Sequence, residues 1–167
     1  MSTAAPSTLD RLWSALAEVM DPEIPAVSVL DMGMIKSIEQ EPDGRVRVEV
    51  LPTFSGCPAL DIIETTIRER LEQESGAGMV EVRFVFDPVW SSDRITEEGR
   101  RRLQTFGIAP APLLRGKALT VLQPAPVACP YCGSHRSVLD NLFGPTPCRS
   151  LFRCLDCRNP FEAFKAI

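Results

Sequence analysis

Six cysteines are spread unevenly along the chain, and four of them fall into two C-x2-C pairs, Cys129-Pro-Tyr-Cys132 and Cys154-Leu-Asp-Cys157, with 21 residues between the pairs. A short backbone knuckle around each pair aims two thiolates at one point, and two knuckles make a tetrahedral S4 metal site. Gly133 suits the unusual backbone angle that follows the first pair. Zinc is the first choice of metal, and a single rubredoxin-like iron is the alternative, because four thiolates suit either ion. Four unrelated core cysteines would not explain the spacing. Nor would they explain how a 39-residue tail holds together without a core of its own. A thiol oxidoreductase using the same pairs conflicts with their use as ligands.

Two further thiols stand outside this set. Cys148, in "TPCRS", reads either as a small buried hydrophobe or as a thiol that could swap into the metal site or receive a cluster. Cys57, in "PTFSGCPA", precedes a helix. With Pro58 at the first helical position, Cys57 sits at or beside the N-cap, where unpaired N–H groups and the helix dipole lower a thiol's pKa. A reactive thiolate and a plain capping residue fit that position equally well. Gly56 would let another backbone or a ligand come close. The loop "DPEIPAVSVLDMG" carries Asp21, Glu23 and Asp31. These either close turns or bring carboxylates beside Cys57 to orient a metal or a partner. His135 is the one histidine in the sequence, and with four thiolates available it is assigned a surface role.

The elements that must position these residues follow from periodicity. Leu9, Leu12, Trp13, Leu16 and Met20 predict a helix opened by Ser7 or Thr8 and stopped by Asp21-Pro22. Asp31-Met-Gly33 predicts a tight turn into a hairpin, in which Val46, Val48 and Val50 alternate with charged residues and Asp43-Gly44 makes the turn. A second helix is expected from about Ala59 to Glu74, with Leu60, Ile63, Ile67 and Leu71 on one stripe and "SGAG" ending it. Val80, Val82, Phe84 and Phe86 predict a strand parallel to Val46–Val50 through a βαβ crossover. A third helix spans about Thr96–Thr105, capped by Gly107, with Arg100, Arg101 and Arg102 as a solvated face. Residues 109–128 read as a proline-rich linker, with a candidate strand in "KALTVLQ". "SLFRC" and "PFEAFK" read as ribbon strands around Phe152, Phe161 and Phe164. The expected fold is a small α/β (α+β) domain over 1–108 with helix–hairpin–helix–strand–helix order and a mixed sheet. A small all-β zinc ribbon over 129–167 follows it.

Composition narrows the function. The chain has 167 residues, 44% hydrophobic and 24% charged, as soluble globular proteins do. Net charge is −4, divided as −6 over residues 1–128 and +2 over 129–167, which argues against a nucleic-acid surface. No run approaches the roughly 18 apolar residues of a membrane span, and the start lacks a secretory pattern. A cytoplasmic, reducing location is expected, where cysteine pairs hold metal rather than form disulfides. No helix carries a Glu-x-x-His pair, which excludes a di-iron oxygenase, and no Gly-rich dinucleotide fingerprint is present, which excludes a dinucleotide-dependent reductase.

Three motifs in order carry a resemblance. Asp21-Pro22-Glu23, the Asp31-Met32-Gly33 turn (Met32 in place of leucine) and Thr53-x-x-x-Cys57-Pro58 resemble the iron–sulfur assembly domain of SufT and its eukaryotic relatives over residues 9–108. "DPVWSSDRITEEGRRRLQTFGIAP", "CPYCGS" and "FGPTPCRSLFRCLDCRNPFEAFK" extend the likeness to nearly the whole chain. It resembles the PaaD (PaaJ) family, accessory subunits of bacterial phenylacetyl-CoA epoxidase (ring 1,2-epoxidase) systems. The resemblance implies a role in aerobic phenylacetate catabolism without independent catalytic activity. That role is maturation or insertion of an iron–sulfur cofactor through Cys57, with Asp21, Glu23 and Asp31 as a supporting loop. Zinc would be structural, and the cluster or iron transient. Implied partners are the other epoxidase subunits, above all the iron–sulfur reductase, and iron–sulfur assembly proteins, with no nucleic acid and no membrane. A [4Fe–4S] cluster uses about four cysteines, so Cys57 would need Cys148, a small-molecule thiol or a homodimer to complete a site. The competing reading is a structural or docking subunit of the oxygenase complex without cluster chemistry.

Overall fold

The computed structural model describes residues 7–75, 79–115 and 127–166. The chain divides into two compact units, residues 1–52 with 58–89, and residues 53–57 with 90–167.

In the first unit, helix α1 (Thr8–Leu16) opens with a capping box. The Ser7 hydroxyl accepts from the Asp10 N–H at 3.2 Å, and the Asp10 carboxylate accepts from the Ser7 N–H at 3.0 Å. The helix ends earlier than Asp21-Pro22 would dictate. The N–H groups of Glu18 and Val19 bond three residues back, to Ala15 and Leu16, which tightens the last turn. Residues 19–21 then pair with 27–29, through Asp21 N–H to Val27 O at 2.8 Å and Val29 N–H to Val19 O at 2.9 Å. The buried stripe is Leu12, Ala15, Leu16 and Val19, whereas Leu9, Trp13 and Met20 are exposed. The expected stripe is therefore rotated by about one residue.

Strands β1 (Ile35–Gln40) and β2 (Val46–Val50) form the antiparallel hairpin, and Gly44 takes φ 88° in its turn. Helix α2 (Leu60–Ser75) crosses over to β3 (Val80–Phe84), which pairs with β2 in parallel, Val48 opposite Val82. The sheet is thus mixed, in the order β1-β2-β3. Val46, Val48 and Val50 are buried together with Ile63, Ile67 and Leu71 of α2. Alternating positions on these strands bear an ion-pair ladder, with Lys36–Glu49 at 2.9 Å, Arg47–Glu81 at 3.3 Å and Arg83–Glu81 at 2.6 Å. Strand β3 stops at Phe84, ahead of Asp87-Pro88, where proline has no N–H to pair, and Phe86 is exposed. The expected helix stop at 76–78 lies outside the described residues.

In the second unit, helix α3 (Glu97–Phe106) is capped by Thr96, whose hydroxyl accepts from the Gly99 N–H at 2.9 Å. Gly107, at φ 95°, ends it and leads directly into β4 (Ile108–Ala109). Strands β5 (Ser137–Asn141), β6 (Arg149–Cys154) and β7 (Pro160–Phe164) complete a sheet ordered β4-β7-β6-β5. The expected ribbon strands are β6 and β7, and the sequence did not mark β4 or β5. Phe152 and Phe161 stack at 5.8 Å between centroids within the small core, and Trp90 meets Phe164 edge-on at the same distance. The arginine triplet on α3 is not uniformly solvated. Arg101 and Arg102 pair with Glu98 on the surface. Arg100 turns inward and donates to the carbonyls of Ala111 and Ser92, the latter at 2.6 Å. The candidate strand in "KALTVLQ" lies outside the described residues. Among the described residues no helix is long and apolar enough to cross a membrane.

A four-cysteine metal centre and a cysteine turn

Both knuckles are built by the same backbone device. The Cys129 N–H donates to Ser134 O at 2.9 Å, and the Cys154 N–H donates to Asn159 O at 3.0 Å, five residues on in each case. Four residues after the first cysteine of each pair the chain takes a left-handed conformation, at Gly133 (φ 74°) and at Arg158 (φ 63°). Glycine adopts that angle without penalty, whereas arginine does so at a cost of roughly 1 kcal/mol. Sequence reasoning found Gly133 and missed Arg158. The shared offset was the available signal.

These two turns bring the four sulfurs within 4.8 Å of one another. Cys129 and Cys157 lie 3.7 Å apart and Cys132 and Cys154 lie 3.6 Å apart, Sγ to Sγ. Four sulfurs about 2.3 Å from a central ion stand about 3.8 Å from each other, so the set fits a tetrahedral metal with little movement. No cysteine of the six is in a disulfide. Cys129 and Cys154 are buried, Cys157 is half-buried and Cys132 is exposed.

Electrostatics explain why the set wants a cation. The Cys154 thiol is drawn down to about 6, chiefly by the backbone N–H of Cys157; burial opposes, and the Asp156 N–H assists. Cys132 goes the other way, to about 12. The Ser134 N–H favours its thiolate, yet burial and the hydrogen bonds it shares with Cys154, Cys157 and Cys129 outweigh that. Four neighbouring thiolates repel, and a divalent ion at their centre removes the conflict. Asn159 adds an amide N–H to Cys157 Sγ at 3.6 Å, and Asp156 accepts from the Ser134 hydroxyl and from Arg136, which ties the knuckles together.

Cys148 is not near this centre. It immediately precedes β6, whereas Cys154 ends that strand, six residues or about 20 Å away. It therefore cannot swap into the metal site. Cys148 is buried, with its sulfur 3.1 Å from the Thr146 hydroxyl. That hydroxyl accepts from Arg149 Nε at 2.7 Å, and Arg149 also pairs with Glu162 at 2.6 Å. His135 is exposed and is not among the metal-binding group.

Cys57 sits slightly further from α2 than the proline rule suggests. The Ala59 carbonyl accepts the first helical N–H, from Ile63 at 2.9 Å, so Ala59 is the cap and Pro58 is not the first helical residue. Cys57 lies two residues before the cap and is half-buried, and the dipole's influence falls off within a turn. Its N–H closes a turn onto Phe54 O at 3.2 Å.

In the acidic loop, two carboxylates carry backbone duties. Asp21 Oδ1 accepts from the N–H groups of Glu23 and Ile24, at 2.8 and 2.9 Å. Asp31 is buried and accepts from the Ser28 N–H at 2.9 Å, while the Ser28 hydroxyl accepts from the Asp31 N–H at 3.1 Å. This is the capping-box arrangement used without a helix. Gly33, at φ 60°, completes the turn into β1.

Two family models match the chain in succession. Residues 115–165 match the PaaD zinc beta ribbon domain, and residues 9–84 match the iron–sulfur cluster assembly protein family. A crystal structure of a domain of unknown function, DUF59, from Bacillus anthracis shares the fold. It gives a TM-score of 0.54 at 23% identity, covering 57% of this chain and 91% of that one. A conserved hypothetical protein of Thermotoga maritima gives 0.50 at 27% identity, covering 62% of this chain and 98% of that one. An Fe-S protein maturation auxiliary factor of Porphyromonas gingivalis is 38% identical over 58% of this chain and 90% of its own length. A protein of Escherichia coli K12, proposed to be one of the 1,2-phenylacetyl-CoA epoxidase subunits, is 37% identical over 100% of this chain and 98% of its own. With one fold-matched assembly domain, one four-cysteine ribbon and end-to-end likeness to that protein, the chain belongs to the PaaD family.

Proposed function

We propose that this chain serves the phenylacetyl-CoA epoxidase system as an accessory subunit that helps mature or insert an iron–sulfur cofactor, with the iron–sulfur reductase as its client. The observation that carries the reading is the joining of an iron–sulfur assembly domain and a ribbon in one chain, aligned end to end with a protein proposed to belong to the epoxidase. Cys57 is the thiol that takes iron or a cluster in transit, and Cys148 is the second thiol. The Thr146 hydroxyl, which accepts from Arg149 Nε, stands 3.1 Å from the Cys148 sulfur and has an O–H to offer a thiolate there. Cargo must leave as well as arrive, so an incomplete ligand set suits the task. A client thiol or a second copy of the chain supplies the rest. Asp21 and Asp31 act by holding the loop in shape, and Glu23 belongs to the same loop. In the ribbon the metal is zinc, in a closed site of four sulfurs with no position left for substrate, and its role is to hold the knuckles.

The test is iron, acid-labile sulfide and zinc content after anaerobic purification, wild type against Cys57→Ala and Cys148→Ala. The expected result is loss of iron and sulfide in both variants with zinc unchanged, and a fall in the reductase's cluster content in cells. Unchanged reductase clusters and unchanged pathway flux with Cys57→Ser overturn the role given to Cys57.

A further inference from the structure

We propose that Phe54 is a positioning residue for Cys57, its ring clamping the turn that presents the thiol; the inference rests on Cys57 being the working thiol. The turn runs Phe54-Ser55-Gly56-Cys57 and is closed by the Cys57 N–H to Phe54 O bond of 3.2 Å. Gly56 is not needed there for its backbone angle, since its φ is not among the positive ones. Its bare Cα instead allows close approach of the Phe54 ring. A Cβ at Gly56 would lie 3.0 Å from Phe54 Cε1, and 3.7 Å from both Cδ1 and Cζ. The ring edge therefore lies on the bare Cα of Gly56, and ring and glycine form a matched pair. Phe54 is 40% exposed, so the ring is not simply sunk in a core.

The flanks complete the clamp. Pro52 and Pro58 fix φ at entry and exit, and a residue before proline is confined to extended geometry, which restrains Cys57 itself. With the peptide ahead of Cys57 held by the turn and the peptide after it held by Pro58, the Cα–Cβ direction of the thiol is set before any ligand arrives. A transient ligand gains from such preorganisation, because little entropy is lost on each capture.

The test is the alkylation rate of Cys57 by iodoacetamide, resolved by peptide mass spectrometry on the full chain with metal bound. Phe54→Ala and Gly56→Ala each release the same clamp and leave the thiol less well presented, so each slows the reaction about fivefold, the order of one lost ring contact. The double variant reacts no slower than the slower single one, because both changes break one contact. Phe54→Tyr, which keeps the ring, reacts as wild type does. Multiplying rates in the double variant, or a wild-type rate in Phe54→Ala, overturns the proposal. Alkylation reads the turn whether or not iron binds, and sulfide content of Cys57→Ala reads the thiol's role, so the two ideas fail separately.

Discussion

At Gly133 and Arg158 one backbone need is met by two residue types, and substitution separates the costs. A Cβ at Gly133 would meet nothing within 4 Å, so Gly133→Ala carries only the penalty of a left-handed backbone, about 1 kcal/mol. Arg158→Gly removes that penalty at the other knuckle and restores some unfolded-state entropy, for a net gain of about 0.5 kcal/mol. Urea unfolding of the metal-loaded protein checks both, and opposite signs are the expected outcome. Asp31 is a harder case. Its carboxylate holds a buried Ser28 N–H, so Asp31→Ala costs about 1–3 kcal/mol whatever its chemistry. Asp31→Asn keeps an acceptor oxygen and recovers most of that loss. The clustering of the four cysteines was legible from spacing, because a C-x2-C knuckle is a local device. The helix start beside Cys57 was not, because which carbonyl takes the first helical bond, Ala59 here, is decided by packing of the whole helix and not by Pro58 alone.

The elements were legible where one face is buried against one partner. Val46, Val48 and Val50 alternate, their strand is buried on that face, and the parallel pairing to Val80–Phe84 follows from the crossover helix. Helix α1 was legible in existence but not in phase. Trp13 and Leu9 are as apolar as the residues that are buried, and tertiary contact chose Leu12, Ala15, Leu16 and Val19 instead. Helix α3 shows the same limit with charge. Three consecutive arginines look alike in sequence, yet Arg100 lies one turn before the fully buried Leu103 and faces inward. Burial pulls its guanidinium pKa down, while the nearby Asp93 holds it up. Arg100→Met strands the Ala111 and Ser92 carbonyls and is expected to cost about 2–3 kcal/mol. Arg101→Ala and Arg102→Ala, which break exposed pairs with Glu98, cost less than about 1 kcal/mol each. Thermal unfolding of the three single variants ranks them, and equal losses would refute an inward-facing Arg100.

At the scale of the whole molecule, the second unit is larger than a ribbon. Nothing in "IA" at 108–109 announces a strand, and only the sheet shows β4 pairing with β7, Ala109 opposite Ala163. Through β4, Gly107 and the Trp90–Phe164 contact, α3 is built onto the metal-stapled sheet. A Cβ at Gly107 would stand 3.4 Å from the Tyr131 hydroxyl of the first knuckle, so the helix cap rests on the metal loop. The core under it includes Cys129 and Cys154, two of the ligands themselves. Removing the metal therefore removes part of the core, and a unit of this kind folds with its ion. Chelation is expected to strip hydrogen-exchange protection from α3 as well as from β5, β6 and β7. Val48, Val50, Ile67 and Leu71 give the first unit a core that needs no ion, so α2 and β2 keep their protection. Acid acts in the same direction. The four sulfurs hold an ion only as thiolates, so falling pH sets protons against the metal for them. Loss of protection on acidification should accordingly begin in the second unit, and zinc added back at neutral pH should restore it. Protection of α3 that survives chelation would separate the helix from the metal centre, and simultaneous loss in α2 would show that the first unit depends on the ion as well.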